Sequence, residues 1–152
     1  MSFEIMNEHS FKINITPDQE TETMEPLAAG IMSAEPTFND EISQDRYLDG
    51  AGFSETDVIG AQITIAFSGH RLYGDPAQDF IFDRAFGIGT ARRTNFEWTQ
   101  PDGSILTGDC TITNIEGPGG DAGAKGEIAF EIHFNGEPEY TPPNGNGGGV
   151  EG

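Results

Sequence analysis

From Glu127 to Phe134 the chain alternates: Ile128, Phe130, Ile132 and Phe134 point one way, Glu127, Glu131 and His133 the other. That two-residue period belongs to a half-buried β-strand. It recurs where Phe11, Ile13 and Ile15 alternate with Lys12, Asn14 and Thr16 until Pro17 stops the run. It recurs again where Ile63, Ile65 and Phe67 alternate with Gln62, Thr64 and Ser68. Residues 94–99 put Phe96 and Trp98 on one face, and Pro101-Asp102-Gly103 is turn chemistry. Leu106, Cys110 and Ile112 then share a face, so 94–115 reads as a β-hairpin. One segment keeps the other period. Asp75 suits an N-cap, Pro76 the first helical position and Gln78 the capping-box position, with Ala77, Phe80, Ile81 and Ala85 at helical spacing. Gly87 can end it, which predicts one short helix over 75–86 with its Phe face on a sheet.

Two stretches break the pattern. Residues 117–136, GPGGDAGAKGEIAFEIHFNG, open like a phosphate cradle, but a strand follows the glycines where such a loop needs a helix N-terminus. Neither glycine-motif spacing fits, Lys125 is the only cation, and Glu116, Asp121 and Glu127 would repel a phosphate. The loop is expected to turn the chain. In 17–57 carboxylates are dense and Arg46 is the sole cation, yet Leu27, Ile31, Phe38, Tyr47 and Phe53 recur. That is an irregular excursion or weak hairpin which docks somewhere, and connections of this length are usually functional. After Tyr140 the tail has nothing to bury and is expected to be disordered. The plan is mainly β, a sandwich or barrel of two packed sheets with one short flanking α-helix, in a single domain over 1–140 with a flexible tail at 141–152.

Composition narrows the chemistry. The 152 residues are 35% hydrophobic, but eleven Phe and one Trp are good core material. Twenty-six acidic against seven basic residues give a formal charge of −19. That field opposes nucleic acid and anionic membrane, and Arg92-Arg93 is the only basic pair. A lone cysteine, Cys110, excludes an intrachain disulfide framework and reads as a small buried hydrophobe. The first residues, MSFEIMNEHSFKIN, lack the basic and apolar regions of a secretory signal, and no stretch has the length of a membrane span. The chain is expected to be made and kept soluble in a cytoplasm. His9, His70 and His133 are scattered without metal-ligand spacing; His70 reads as a structural histidine near Asp75. No G-x-S-x-G and no calcium-loop run occurs, and Cys110 has no base nearby in sequence. Neither catalysis nor a cofactor is expected.

A compact sheet core with a long acidic excursion suits a subunit that stacks on copies of itself. The words FSGHRLYGDPAQDFIF, FEWTQPDG, TITNIEGPGGDAGAKGEIAFEIHFNGEPEY and the earlier PLAAGI and EPTFN make this chain resemble the major tail protein of long-tailed, siphovirus-type bacteriophages, from about Pro26 to Tyr140. The resemblance implies the phage tail-tube fold, hexameric rings stacked into a tube, and assembly in the host cytoplasm into the virion. It implies the chain itself as main partner, with tape measure, tail terminator and distal tail proteins, and DNA passing through without specific binding. Residues 17–57 then become the inter-ring loop, with Glu35, Asp40, Glu41, Asp45, Arg46, Asp49, Glu55 and Asp57 as its candidate contacts. Segments 3–15 and 137–152 become arms, Arg92 and Arg93 candidate inter-subunit salt-bridge donors, and Glu97, Glu127 and Glu131 candidate lumen residues that repel phosphate. The alternative is a non-enzymatic carbohydrate- or receptor-binding virion module, although Phe and Trp fall on core faces rather than on an exposed platform.

Overall fold

The computed structural model describes Ile5 and residues 8–143. The tail from 144 and most of the first seven residues lie outside them. Strands β1 (Ser10–Asn14), β2 (Met24–Pro26), β3 (Ile31–Thr37), β4 (Glu41–Arg46), β5 (Ser54–Gly60) and β6 (Thr64–His70) come first. Helix α1 (Pro76–Arg84) follows, then β7 (Arg93–Thr99), β8 (Ile105–Gly119), β9 (Glu127–Phe134) and β10 (Glu139–Thr141). All pairings are antiparallel. One sheet runs β2-β1-β7-β8-β9-β6-β3, with β10 beside the start of β8; β4 and β5 pair only with each other.

The long strand β8 sets the architecture. Its first part pairs with β7 from Ile105 to Thr111, and its second pairs with β9 from Cys110 to Gly119. Register slips twice between Thr113 and Gly119, and Asn114 has φ 52°. Such bulges bend a strand. The sheet folds over itself, so Phe11 of β1 meets Phe67 of β6 edge-on at 5.1 Å although three strands separate them in the path. The expected sandwich is present, and its two packed layers are halves of one hydrogen-bonded sheet.

The alternation seen in sequence becomes the core. Ile13, Ile65, Phe67, Phe96, Cys110, Ile112, Phe130, Ile132 and Phe134 are essentially inaccessible to solvent. Phe67 is central, touching the rings of Phe11, Phe96 and Phe130. Burying each such ring stabilises by roughly 1.5–3 kcal/mol, with about 0.5–1.5 kcal/mol more where rings meet well. Burial also pushes the Cys110 thiol up to about 12, so this cysteine is a core residue rather than a reactive one.

Helix α1 is capped as expected, Asp75 Oδ2 accepting from the Gln78 N–H at 3.1 Å. Ala77, Phe80 and Ile81 are buried, and Phe82 meets the Phe130 ring edge-on. The other half of the capping box does not form. Gln78 turns inward instead, its Nε2 donating to the carbonyls of Ala29 (2.9 Å) and His70 (3.0 Å) while its Oε1 accepts from the Leu72 N–H at 2.8 Å. Three partly buried backbone hydrogen bonds outweigh one exposed cap bond. This clip ties the helix to the β2–β3 connection and to the end of β6. At the same place a Cβ on Gly69 would collide with the Gly30 carbonyl, so only glycine permits the crossing.

The excursion at 17–57 is more ordered than its sequence suggests. β2 adds to β1, β3 adds to β6, and Leu27 is buried. Short edge strands bury one face at most, so they carry little alternation. Only the hairpin β4–β5 projects, and it runs on to Gly60, past the predicted end of the excursion at Asp57. The glycine-rich stretch does turn the chain, joining β8 to β9 through 120–126. At the C-terminal end, Glu139–Thr141 pairs with β8, so the predicted arm at 137–152 begins as sheet.

Candidate assembly surfaces

A hairpin buries a face only when something covers it. No residue of β4, its 3-10 turn at Leu48–Gly50 or β5 is buried. Ile42, Tyr47, Leu48, Phe53, Val58 and Ile59 are all exposed large hydrophobics, and Phe38 at the base is another. Scattered exposed apolar residues are ordinary, but a run of this density marks an interaction surface. The base is fixed: Asn39 Nδ2 donates to the Gln62 carbonyl and to Thr64 Oγ1, both at 3.0 Å. From there six paired residues reach roughly 20 Å.

Cross-strand register sorts the hairpin's charges. Asp45 lies opposite Glu55 and Ser43 opposite Asp57, which puts three carboxylates on one face. Ile42 pairs with Val58, Gln44 with Thr56 and Arg46 with Ser54 on the other. Glu41 starts β4, Asp49 sits in the 3-10 turn, and Asp40 precedes the hairpin. Glu35 is elsewhere, exposed on β3 opposite Ala66 of β6. Seven of the eight predicted loop contacts therefore gather on or beside one projection, and the eighth stays on the sheet.

The basic pair divides. Arg92 turns into its own chain: Nε donates to the Gly87 carbonyl (3.0 Å), NH2 to Ala85 (3.0 Å) and NH1 to Ile112 (3.2 Å). It ties the segment after α1 to β8, where carbonyls left over by the helix end need donors. Arg93 opens β7 opposite Thr111 and is exposed. Phe86 and Ile88, just before this pair, are 94% and 87% exposed. Sequence reasoning passed over both, although a pair of large apolar residues between the helix end and two arginines was visible.

The three candidate lumen carboxylates all project from the outer face of the folded sheet. Glu97 is half-buried on β7 between Lys12 and Thr107. Glu127 and Glu131 stand four residues apart on β9, Glu131 opposite Thr113 where the bend in β8 starts and Glu127 opposite Gly119 where it ends. Glu131 Oε1 lies 2.8 Å from His133 Nε2, and that hydrogen bond is the main cause holding its carboxyl below the ordinary glutamate range. Glu127 and Glu131 thus share one face of β9, roughly 13 Å apart along the strand, and Glu97 lies on the other half. Among the described residues no group of His, Cys, Asp or Glu comes together as a metal site, and no helix is long and apolar enough to cross a membrane.

No family model and no curated protein matches this chain in sequence. Solved structures match in fold. A subunit from the tail of an empty gene transfer agent particle, refined helically with C6 symmetry, is 20% identical, with a TM-score of 0.70 over 92% of this chain and 100% of that one. A chain from the virion of the native gene transfer agent particle is 18% identical with a TM-score of 0.69 at the same coverage. The tube-terminating cap of the anti-feeding prophage is 13% identical, with a TM-score of 0.56 over 89% of each chain. The mainly β fold found here is a phage tail-tube-like fold.

Proposed function

We propose that this chain is the repeating, non-enzymatic subunit of a phage-type tail tube. The observation that carries this reading is the end-to-end fold likeness to a tail subunit, 92% of one chain on 100% of the other. Six copies close into a ring, and rings stack. The hairpin at 41–60 reaches from one ring to the next, burying on assembly the apolar residues that a single copy leaves in water. Carboxylates of the outer sheet face, Glu97 or the pair Glu127 and Glu131, line the bore. With a formal charge of −19 the subunit repels the DNA backbone, so duplex passes without sticking. The tube belongs to the virion and is assembled in the host cytoplasm. Its remaining partners are proteins that set its length and close its ends: tape measure, terminator and distal tail proteins.

The test is electron microscopy of the concentrated protein beside sedimentation velocity. Hollow rods with six-fold end views support the proposal. A single slow-sedimenting monomer at every concentration, alone or seeded with tail tips, refutes it.

A further inference from the structure

We propose that the acidic face of the β4–β5 hairpin docks on the Arg93 side of a second copy, its apolar tip covering that copy's Phe86 and Ile88. This docking rests on the tube reading and names the surface that receives the hairpin.

The donor side carries an unmet demand. Asp45 and Glu55 are directly opposed in the ladder with Asp57 beside them, and like charges so placed weaken a β-pair. The hairpin's own cation, Arg46, is opposite Ser54 on the other face and cannot relieve them. A cation from outside would. At the tip, Tyr47, Leu48 and Phe53 are exposed, so the partner must present both positive charge and apolar surface.

The segment between α1 and β7 presents both. Ile88, Thr90, Arg92, Arg93 and Thr111 are among the residues lining a concavity of about 650 Å³ whose lining contains no carboxylate. Arg92 is bonded only to carbonyls, which leave its charge in place, and neither arginine forms a salt bridge among the described residues. Ile88 in this lining and Phe86 two residues before it are almost fully in water. Charge and apolar surface therefore complement each other between hairpin and concavity. The hairpin does not fill this site within its own chain, because every one of its large apolar residues is exposed. A second groove, beside His9, Phe11, Leu27 and Met32, is smaller at about 190 Å³ and offers no cation to the acidic face.

The experiment uses the full chain and reversal of charge. Arg93 is exposed, so Arg93→Glu should leave circular dichroism and Tm unchanged while weakening self-association at least about tenfold. Glu55→Arg should do the same, and the double variant should recover assembly. A second readout does not need tubes. In Arg93→Lys, a zero-length carbodiimide should join the amine introduced at position 93 to Asp45, Glu55 or Asp57 of another copy, identified by mixing isotope-labelled and unlabelled chains. If Arg93→Glu forms tubes as readily as the parent, or the reversals do not rescue each other, the docking is wrong while the tube reading stands. Hairpin carboxylates joined instead to Lys12 or Lys125 of another copy would equally overturn it. A parent chain that stays monomeric, together with an Arg93→Lys variant that yields no such cross-link, refutes both.

Discussion

The sandwich and the hairpin are built from strands of similar length, yet they treat the same side chains in opposite ways. In β7 and β9 every second residue is buried, and in β4 and β5 none is. Phe67 has three aromatic neighbours and is almost inaccessible, whereas Phe53 is 78% exposed. A strand that alternates has found its covering layer within the chain. A hairpin rich in apolar residues without strict alternation has not, and its covering layer must come from another molecule.

The largest effect breaks this contrast with one substitution made twice. Phe67→Ala should cost about 3–5 kcal/mol in denaturant unfolding, because the facing rings cannot close the cavity. Phe53→Ala should stay within about 0.5 kcal/mol of the parent in the same assay and yet abolish assembly. Equal destabilisation by both would mean that the hairpin is docked within its own chain.

Next in size is the clip that fixes the sandwich to its helix. Gln78→Ala leaves the Ala29 and His70 carbonyls and the Leu72 N–H without their partner, and should cost about 1–3 kcal/mol by thermal or denaturant unfolding. An exposed glutamine of a half-formed capping box would cost a fraction of that.

Two titrations sharpen the same boundary with smaller effects. The folded Cys110 thiol is raised to about 12, so the unfolded chain loses this proton first. Stability contributed by the buried thiol is complete below the unfolded value near 9 and is lost as pH rises toward about 12. Cys110→Ala should flatten that alkaline slope, and the native thiol should resist alkylation at neutral pH. Glu131 has the opposite sign. Its folded carboxyl is depressed, so its contribution is present above the ordinary glutamate range and is lost as pH falls through the folded value. Because the side chain is partly in water, Glu131→Gln should change only the acid limb of the unfolding curve, and slightly.

What was legible in sequence follows the same division. Alternation disclosed β1, β6, β7, β8 and β9, since each has one face on the core. Pro101-Asp102-Gly103 disclosed the β7–β8 turn, where Ser104 donates both its N–H and its hydroxyl to Asp102 Oδ1. Asp75 and Pro76 disclosed the helix. Edge strands β2 and β3 were hidden, because pairing through the backbone leaves little trace in side-chain pattern. Leu27, Ile31, Phe38, Tyr47 and Phe53 looked alike in sequence, but the first two pack on the core while the other three face water. That split depends on which strand each residue joins, and register is a tertiary fact. The roles of Gln78 and Arg92 were hidden for a related reason: each serves backbone groups of irregular segments, and each also reaches a distant one, Ala29 and Ile112.

The central claim is that the hairpin holds one copy to the next. The most direct measurement compares the full chain with one in which 41–60 is replaced by a short Gly-Ser linker, by electron microscopy and sedimentation velocity at matched concentration. Asn39 and Gln62, which fix the hairpin's base, remain in both. The account predicts hollow six-fold tubes from the full chain, and from the shortened chain a folded monomer with unchanged Tm that forms none. Tubes from the shortened chain would contradict it.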